Sequence, residues 1–221
     1  MKITFVGHGY VGLVSASVFA DLGNKVTVIG HTPFTVENLN RGNVHIYEPG
    51  LTELVKKNIE AGRLHFTLDY ESVKEADIVF IAVGTPPKAT GEADLSTVLD
   101  VAEKIGKNLS GYTVVVTKST VPIGTNKKIK AIIQKVKDQK AEFDVASCPE
   151  FLRQGTAISD TLNPDRIVIG SETDRAKDIL VDLHKPFFEN TNCPYILCNL
   201  ETAEMIKYAA NSFLAMKISF A

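Results

Sequence analysis

Short apolar runs alternate with segments of helical periodicity along the whole chain. The runs KITFVG, KVTVIG, ADIVFIAVG and YTVVVTKST contain consecutive apolar residues with little polar alternation, which is typical of strands buried on both faces. Between them, segments such as GLTELVKKNIEAG and TNKKIKAIIQKVKDQK carry apolar residues at helical spacing. The pattern predicts a doubly wound α/β fold, with a mostly parallel, Rossmann-like sheet and helices on both faces.

Local signals predict where some helices begin and end. Gly23 follows YVGLVSASVFADL, so it is expected to terminate the first helix at the C′ position. Asp94 precedes LSTVLDVAEKIGKNL and is expected to cap that helix. No internal repeat or low-complexity linker interrupts the alternation. A single compact unit over residues 1–199, followed by a long helix over residues 200–221, is the simplest division.

Composition narrows the classes of partner. The 221 residues carry a net charge of −2, and this balance gives no electrostatic case for nucleic acid or an anionic membrane. No apolar run is long enough to span a bilayer, and the N-terminus lacks the cleavage site of a signal peptide. Together with free cysteines, which suit a reducing compartment, this leads us to expect a cytoplasmic protein. Cys148, Cys193 and Cys198 form neither a CxxC pair nor a zinc spacing. We expect them to be buried free thiols, and we expect no metal site.

A glycine-rich turn follows the first predicted strand. In VGHGYVG, Gly7, Gly9 and Gly12 form the Gly-x-Gly-x-x-Gly pattern that opens a helix after a strand. The first glycine permits a tight turn, the second lets a pyrophosphate approach the backbone, and the third allows close helix–strand packing. This context predicts dinucleotide binding. His8 fills a variable position and is expected to be an exposed side chain.

The companion signal of this pattern is absent. A NAD-binding unit usually places Asp or Glu at the end of the second strand, where it accepts hydrogen bonds from the adenosine ribose. Here that strand ends with Gly30, His31 and Thr32. Loss of the carboxylate removes its repulsion of a 2′-phosphate, yet no Arg follows to pair with that phosphate. NAD with weakened affinity, tolerance of NADP and an altered variant of the site all remain open.

Three further loops follow predicted strands, where ligands gather in open α/β sheets. They are VGTPP (83–87), TKSTVPIGT (117–125) and CPEFLRQGTA (148–157). Each combines proline and glycine with hydroxyl, amide or charged side chains. Such loops often merely turn the chain, but three of them on one edge favour a binding site.

The sequence resembles the UDP-glucose/GDP-mannose dehydrogenase family, and most closely its UDP-glucose 6-dehydrogenase members. The matching segments run from one end of the chain to the other: GHGYVGL, IYEPGL, VGTPP, ADLSTV, KSTVPIGT, PEFLRQGTA, NPDRIVIG and ETAEMIKYAANSFLAMKISF. The resemblance implies oxidation of the C6 alcohol of a nucleotide sugar to a carboxylate with two dinucleotides per turnover. It also implies aldehyde, cysteine thiohemiacetal and thioester intermediates.

The resemblance assigns expected roles to residues. The implied cofactor-binding residues are Gly7, His8, Gly9, Tyr10, Val11, Gly12, Gly30, Thr35, Val83, Gly84, Thr85, Pro86, Pro87, Ser119, Thr120, Val121 and Gln154. The implied substrate-binding residues are Glu150, Phe151, Leu152, Arg153, Lys207 and Asn211. The implied catalytic residues are Thr120, Glu150, Lys207 and Asn211. Gly30 stands where the family normally has the ribose-binding Asp, and Gln154 stands where many members have a Glu near the cofactor. Both differences remove negative charge, which leaves the identity and affinity of the cofactor open.

The last helix is apolar on most sides but carries two polar residues at its centre. Lys207 and Asn211 are four residues apart, so one helix face presents both. The apolar residues around them predict a packed interior helix. A buried ammonium requires a partner or a function. Glu204 could supply a local ion pair, but by family resemblance Lys207 and Asn211 face the sugar C6 and hold an oxyanion or water there.

The family's proteins continue beyond this helix into a second α/β domain that carries the cysteine nucleophile. We therefore expect residues 1–199 to be the dinucleotide-binding domain and residues 200–221 to begin the connecting helix, with the substrate domain absent. We expect a homodimer formed through the last helix. Two alternatives remain: another dehydrogenase of the 3-hydroxy acid type, and a non-catalytic nucleotide-binding module.

Overall fold

The computed structural model describes the backbone of residues 1–221 and every side chain except that of residue 190. Its strands are β1 Lys2–Val6, β2 Lys25–Ile29, β3 Leu64–Thr67, β4 Ile78–Ile81, β5 Tyr112–Thr117, β6 Glu142–Ser147, β7 Ile167–Ser171 and β8 Tyr195–Cys198. Its α-helices are α1 Tyr10–Asp21, α2 Pro33–Asn40, α3 Leu51–Glu60, α4 Ser96–Asn108, α5 Thr125–Val136, α6 Ala157–Leu162, α7 Asp174–Thr191 and α8 Leu200–Phe220. A 3-10 helix spans Tyr70–Glu75.

The eight strands form one sheet in the order β3-β2-β1-β4-β5-β6-β7-β8. All neighbouring strands are parallel except β6 and β7, which pair antiparallel through Ala146 with Ser171 and Ser147 with Gly170. The strand order reverses direction between β1 and β4, which is the position where open α/β sheets bind ligands. The predicted mostly parallel, doubly wound fold is confirmed.

Two hydrophobic cores cover the two faces of the sheet. On one face α1 packs against β1 and β2, α3 packs against α1 and β3, and α7 packs against β6 and β7. On the other face α4 and α5 pack against β4 and β5. Strand β4 is buried at all four positions, as its unbroken apolar run predicts.

The predicted helix boundaries are correct in one case and need adjustment in the other. Gly23 has a φ of +92° and its N–H bonds to the carbonyl of Ala20, so it ends α1 as expected. Helix α4 instead takes Leu95 as its capping residue. The Asp94 carboxylate still accepts the N–H of Ser96, the first residue of α4, at 2.9 Å. Asp94 therefore bonds to a free N–H group of the first turn from the position before the capping residue.

Helix α8 is docked through its first half only. Glu204 is buried and accepts the N–H groups of Gly124 and Asn126 at 2.6 and 2.8 Å, together with the Asn126 side-chain amide at 2.7 Å. These donors lie at the start of α5, where the helix dipole favours a carboxylate. Glu204 is therefore not the local ion-pair partner of Lys207.

The second half of α8 corrects the expectation of a wholly interior helix. Residues 211–220 are all exposed, and Phe213 and Ile218 have 58% and 71% of their surface accessible. In the described chain, no other element covers this half. Among the described residues, no helix combines the length and the apolar character that crossing a bilayer requires.

Replacing Glu204 should destabilise the fold. In Glu204→Ala the donors at the start of α5 lose their acceptor, and each buried unsatisfied group costs about 1–3 kcal/mol. We expect the free energy of unfolding in urea to fall by about 2–4 kcal/mol. Glu201→Ala, which removes the exposed ion pair with Lys127, is the matched control and should change it far less. Equal losses in the two variants would contradict this role of Glu204.

Candidate functional site

The glycine turn brings β1 and α1 into close backbone contact. A Cβ added to Gly7 would lie 2.5 Å from the carbonyl oxygen of Ala82, and Gly7 has a φ of +118°. A Cβ added to Gly12 would lie 2.1 Å from the carbonyl oxygen of Gly7. A Cβ on Gly9 would meet no atom within 4 Å. The turn is therefore packed on the protein side and open at Gly9.

The start of α1 is suited to an anion. Gly9 is the capping residue, no side chain bonds to the first-turn N–H groups, and the first turn contains no acidic residue. Uncapped N–H groups and the helix dipole together favour a phosphate. The space at Gly9, beside Tyr10 and Val11, is open to an approaching anion.

The expected exposure of His8 is wrong, because the ring is 7% exposed. It is buried against Gly30, whose missing Cβ leaves room for it, and it stacks on His31 with ring centroids 4.8 Å apart. Burial, and then the neighbouring His31, lower the pKa of His8. Thr35 lies on α2 and is partly exposed.

The loops after β4 and β5 are bonded to each other. The Ser119 hydroxyl donates to the carbonyl of Val83 at 2.6 Å, and the Thr85 hydroxyl donates to the carbonyl of Thr120 at 2.8 Å. Val121 is buried beneath them. Most of the remaining loop residues are exposed: Gly84, Pro86 and Pro87. The two loops thus form one surface at the edge of the sheet next to the glycine turn.

The loop after β6 supplies the partner of Lys207. The Lys207 ammonium lies 3.2 Å from the Glu150 carboxylate, and their side chains are 8% and 13% exposed. The second Glu150 oxygen accepts the N–H of Leu152 at 2.6 Å. Phe151 places its ring 5.1 Å from the ammonium. A buried ion pair at the end of a strand can donate hydrogen bonds to an oxygen and accept a proton.

Other predicted site residues are less enclosed. Arg153 is 78% exposed and pairs with Asp160 at 2.6 Å, and Gln154 is exposed. Asn211 is also exposed, so it does not share the buried setting of Lys207 although both follow the same helix face. The structure brings Glu150, Phe151 and Lys207 together and leaves Asn211 one turn further along α8.

Sequence analysis assigned no role to Glu48, which the structure places beside the glycine turn. Its carboxylate bonds to the Tyr10 hydroxyl and accepts the N–H of Gly155 at 2.8 Å. It also accepts the N–H of Ile158 at 3.3 Å. Although burial opposes the charged form, the hydrogen bonds from Tyr10 and the backbone lower the pKa of Glu48. This carboxylate ties α1 to α6, and its only sequence signal is the segment IYEPGL.

A cavity of about 130 Å³ is lined by Glu150 and also by Cys148, Lys118 and His184. Burial raises the pKa of the Cys148 thiol, but His184 at 3.7 Å and Lys118 outweigh it and lower the pKa to about 7. Cys148 and Cys193 are buried free thiols as expected, whereas Cys198 is partly exposed. Within the described residues, no group of His, Cys, Asp or Glu is arranged to hold a metal ion.

Curated proteins of known name match the whole chain. It is 52% identical to the UDP-glucose 6-dehydrogenase TuaD of Bacillus subtilis (strain 168), over 99% of this chain and 47% of that protein. It is 47% identical to a UDP-glucose 6-dehydrogenase of Rhizobium meliloti (strain 1021), over 100% of this chain and 51% of that protein. The chain spans about half the length of these relatives.

Solved structures share the fold over the same extent. A UDP-glucose dehydrogenase from the hyperthermophilic archaeon Pyrobaculum islandicum superposes with a TM-score of 0.93 at 42% identity, covering 99% of this chain and 50% of that one. A ternary complex of GDP-mannose dehydrogenase from Pseudomonas aeruginosa gives 0.94 at 35% identity, covering 100% and 51%. Residues 1–188 match the model of the NAD binding domain of the UDP-glucose/GDP-mannose dehydrogenase family. The chain belongs to the UDP-glucose/GDP-mannose dehydrogenase family.

Proposed function

We propose that this chain is the dinucleotide-binding half of a nucleotide-sugar 6-dehydrogenase that uses a nicotinamide dinucleotide to oxidise the C6 alcohol of UDP-glucose. The observation that carries the proposal is the buried Lys207–Glu150 pair, which lies at the sheet edge that also carries the glycine turn. The names of the Bacillus subtilis and Rhizobium meliloti relatives support UDP-glucose as the substrate.

The glycine turn and the paired loops are proposed to hold the cofactor. A bound nicotinamide dinucleotide supplies the acceptor for the hydride that leaves C6. The turn at Gly9 would receive the pyrophosphate, since no atom of the protein fills that space. The loops after β4 and β5 would line the nicotinamide end, and their mutual hydrogen bonds through Ser119 and Thr85 keep that surface fixed.

The Lys207–Glu150 pair is proposed to act on the sugar. The ammonium can donate a hydrogen bond to the C6 oxygen and stabilise negative charge on it, and burial strengthens this interaction. Glu150 can accept a proton from the hydroxyl or from the water that hydrolyses the thioester. Thr120 would orient the nicotinamide or a water, and Asn211 would meet the same oxygen from the next helical turn. Phe151, Leu152, Arg153 and Gln154 would border the nucleotide sugar.

The exposed end of α8 supports a homodimer. Its large apolar residues include Phe213, Leu214, Met216, Ile218 and Phe220. An exposed stripe of this kind is usually covered by association. We propose that a second copy covers it. We also propose a cytoplasmic location, supported by the free cysteines, and a role in supplying a uronic acid for polysaccharide synthesis, which the family relationship suggests.

Blocking the turn at Gly9 should abolish cofactor binding without unfolding the protein. Gly9→Val places its Cβ in open space, so the melting temperature of the free protein should hardly change. A dinucleotide at 100 times its Kd stabilises wild type by about 2.7 kcal/mol, and thermal-shift titration should show no such gain in the variant. Gly12→Ala is the contrasting variant, since its Cβ would strike the Gly7 carbonyl and should destabilise the free protein. A normal ligand-induced shift in Gly9→Val would argue against the site.

Removing the Lys207 ammonium should impair turnover more than binding. In the full-length protein, Lys207→Ala should lower kcat for UDP-glucose by about a hundredfold or more, because one donor to a developing oxyanion is lost. Formation of reduced nicotinamide measures the rate. Lys217→Ala removes an exposed lysine of the same helix and should leave kcat unchanged. A rise in KM alone would assign Lys207 to binding instead.

Acidic substitutions on the exposed end of α8 should weaken dimerisation. The double variant Phe213→Asp, Ile218→Asp places charges in the proposed interface, where desolvating them opposes association. Light scattering coupled to size exclusion should show wild type as a dimer and the variant as a monomer. Lys217→Asp, on the same exposed half, has a smaller effect because it removes no apolar surface. A monomeric wild type would contradict the proposed dimer.

A further inference from the structure

Three histidines meet at the end of β2, beside the start of α1. The His8 ring stacks on His31 with an interplanar angle of 18°, and its edge meets His45 with ring centroids 5.4 Å apart. His8 is buried, whereas His31 and His45 are exposed. In a Rossmann fold the adenosine ribose lies at this strand end. The cluster therefore stands where a dinucleotide presents its ribose hydroxyls.

Gly30 and His8 depend on each other. A Cβ on Gly30 would lie 2.5 Å from the Cδ2 atom of His8 and 2.5 Å from a methyl group of Val36. The imidazole thus occupies the space that a side chain at position 30 would need. A carboxylate at position 30, the usual acceptor for ribose hydroxyls, and the observed His8 ring exclude each other.

The cluster has no anionic partner among the described residues around it. The Nε2 atom of His8 is buried and makes no hydrogen bond. Burial, His31 and His45 lower the pKa of His8, a backbone hydrogen bond raises it, and no carboxylate contributes. The first turn of α1 contains no acidic residue, and Glu37 on α2 is paired with Arg41. Nothing among these described groups would repel an anion.

We propose that His8, His31 and His45 form a phosphate subsite that selects a dinucleotide phosphorylated on its adenosine 2′-hydroxyl, NADP(H), over NAD(H). The inference rests on the proposed dinucleotide site and specifies its cofactor. An imidazolium donates charge-assisted hydrogen bonds to phosphate, and such bonds are about twice as strong as neutral ones. The exposed rings of His31 and His45 contact the phosphate, and His8 holds His31 in place by stacking.

This chemistry couples binding to protonation. A phosphate dianion raises the pKa of the imidazoles that it contacts, so binding takes up protons. Affinity for NADP relative to NAD therefore rises as the pH falls from 8 towards 6. The ratio of the two affinities is the informative quantity, because groups elsewhere in the site affect both cofactors alike.

The test is isothermal titration calorimetry of this chain with NADP, NAD, 2′,5′-ADP, 5′-AMP and inorganic phosphate at pH 6 and pH 8. We expect NADP to bind about tenfold or more tightly than NAD at pH 6, and the ratio of the two affinities to be smaller at pH 8.

In the double variant His31→Asn, His45→Asn, the preference for NADP should disappear while the affinity for NAD is retained. His65→Asn changes an exposed histidine on β3 and should leave the preference intact. Proton NMR should show the ring signals of His31 and His45 moving on addition of 2′,5′-ADP but not of 5′-AMP.

Several outcomes would overturn the inference. Equal or tighter binding of NAD at pH 6 would remove the 2′-phosphate preference while leaving the dinucleotide site itself supported. Binding of inorganic phosphate without any preference for 2′,5′-ADP over 5′-AMP would mean an adventitious ion only. Binding of neither dinucleotide would refute the proposed function together with this inference.

Discussion

Backbone contact between Gly7 and Gly12 is the constraint on which the cofactor side of the protein depends. Because neither position has room for a Cβ, the first turn of α1 lies directly on the end of β1. Behind it, residues Gly12 to Ala20 are buried without interruption. The helix is held by its core packing, and its free N–H groups consequently face the space beyond the sheet edge. The proposed anion site is thus a consequence of how tightly the helix and the strand pack.

Two charged residues determine how α8 is seated. Glu204 and Lys207 are three residues apart and could have neutralised each other locally. Instead, Glu204 binds the start of α5, and Lys207 binds Glu150 beyond β6. A buried charge without a partner is strongly unfavourable, so both contacts must form together. That requirement fixes the rotation of the helix about its axis more narrowly than apolar packing alone would.

The sequence predicts features that depend on local pattern and misses those that depend on distant atoms. Buried strands such as β4 and the turn at Gly23 follow from apolar runs and glycine, and both are confirmed. The burial of His8 could not be foreseen, because it requires the missing Cβ of Gly30, which directly follows β2. The antiparallel direction of β7 could not be predicted either, because the pattern of apolar residues does not indicate in which direction a strand runs.

In the candidate site, too, the sequence predicts what depends on local pattern and misses contacts with distant residues. Lys207 was expected to be buried because apolar residues surround it, but its partner Glu150 was not identifiable from spacing. The local partner Glu204 was visible in the sequence, whereas the N–H groups that it actually binds lie about eighty residues away. Asn211 lies on the same helix face as Lys207 and yet is exposed, because no described residue covers the second half of α8.

The attachment of Glu204 to α5 has a mechanical consequence. The loop that contains Ser119 runs directly into α5, so one carboxylate links that loop to the helix that carries Lys207. If α8 shifted or rotated, the hydrogen bonds of Glu204 would move this loop in the same direction. The helix and the loop would therefore move together. Any hinge in this region therefore belongs beyond Lys207, where the helix is free of such attachments in the described chain.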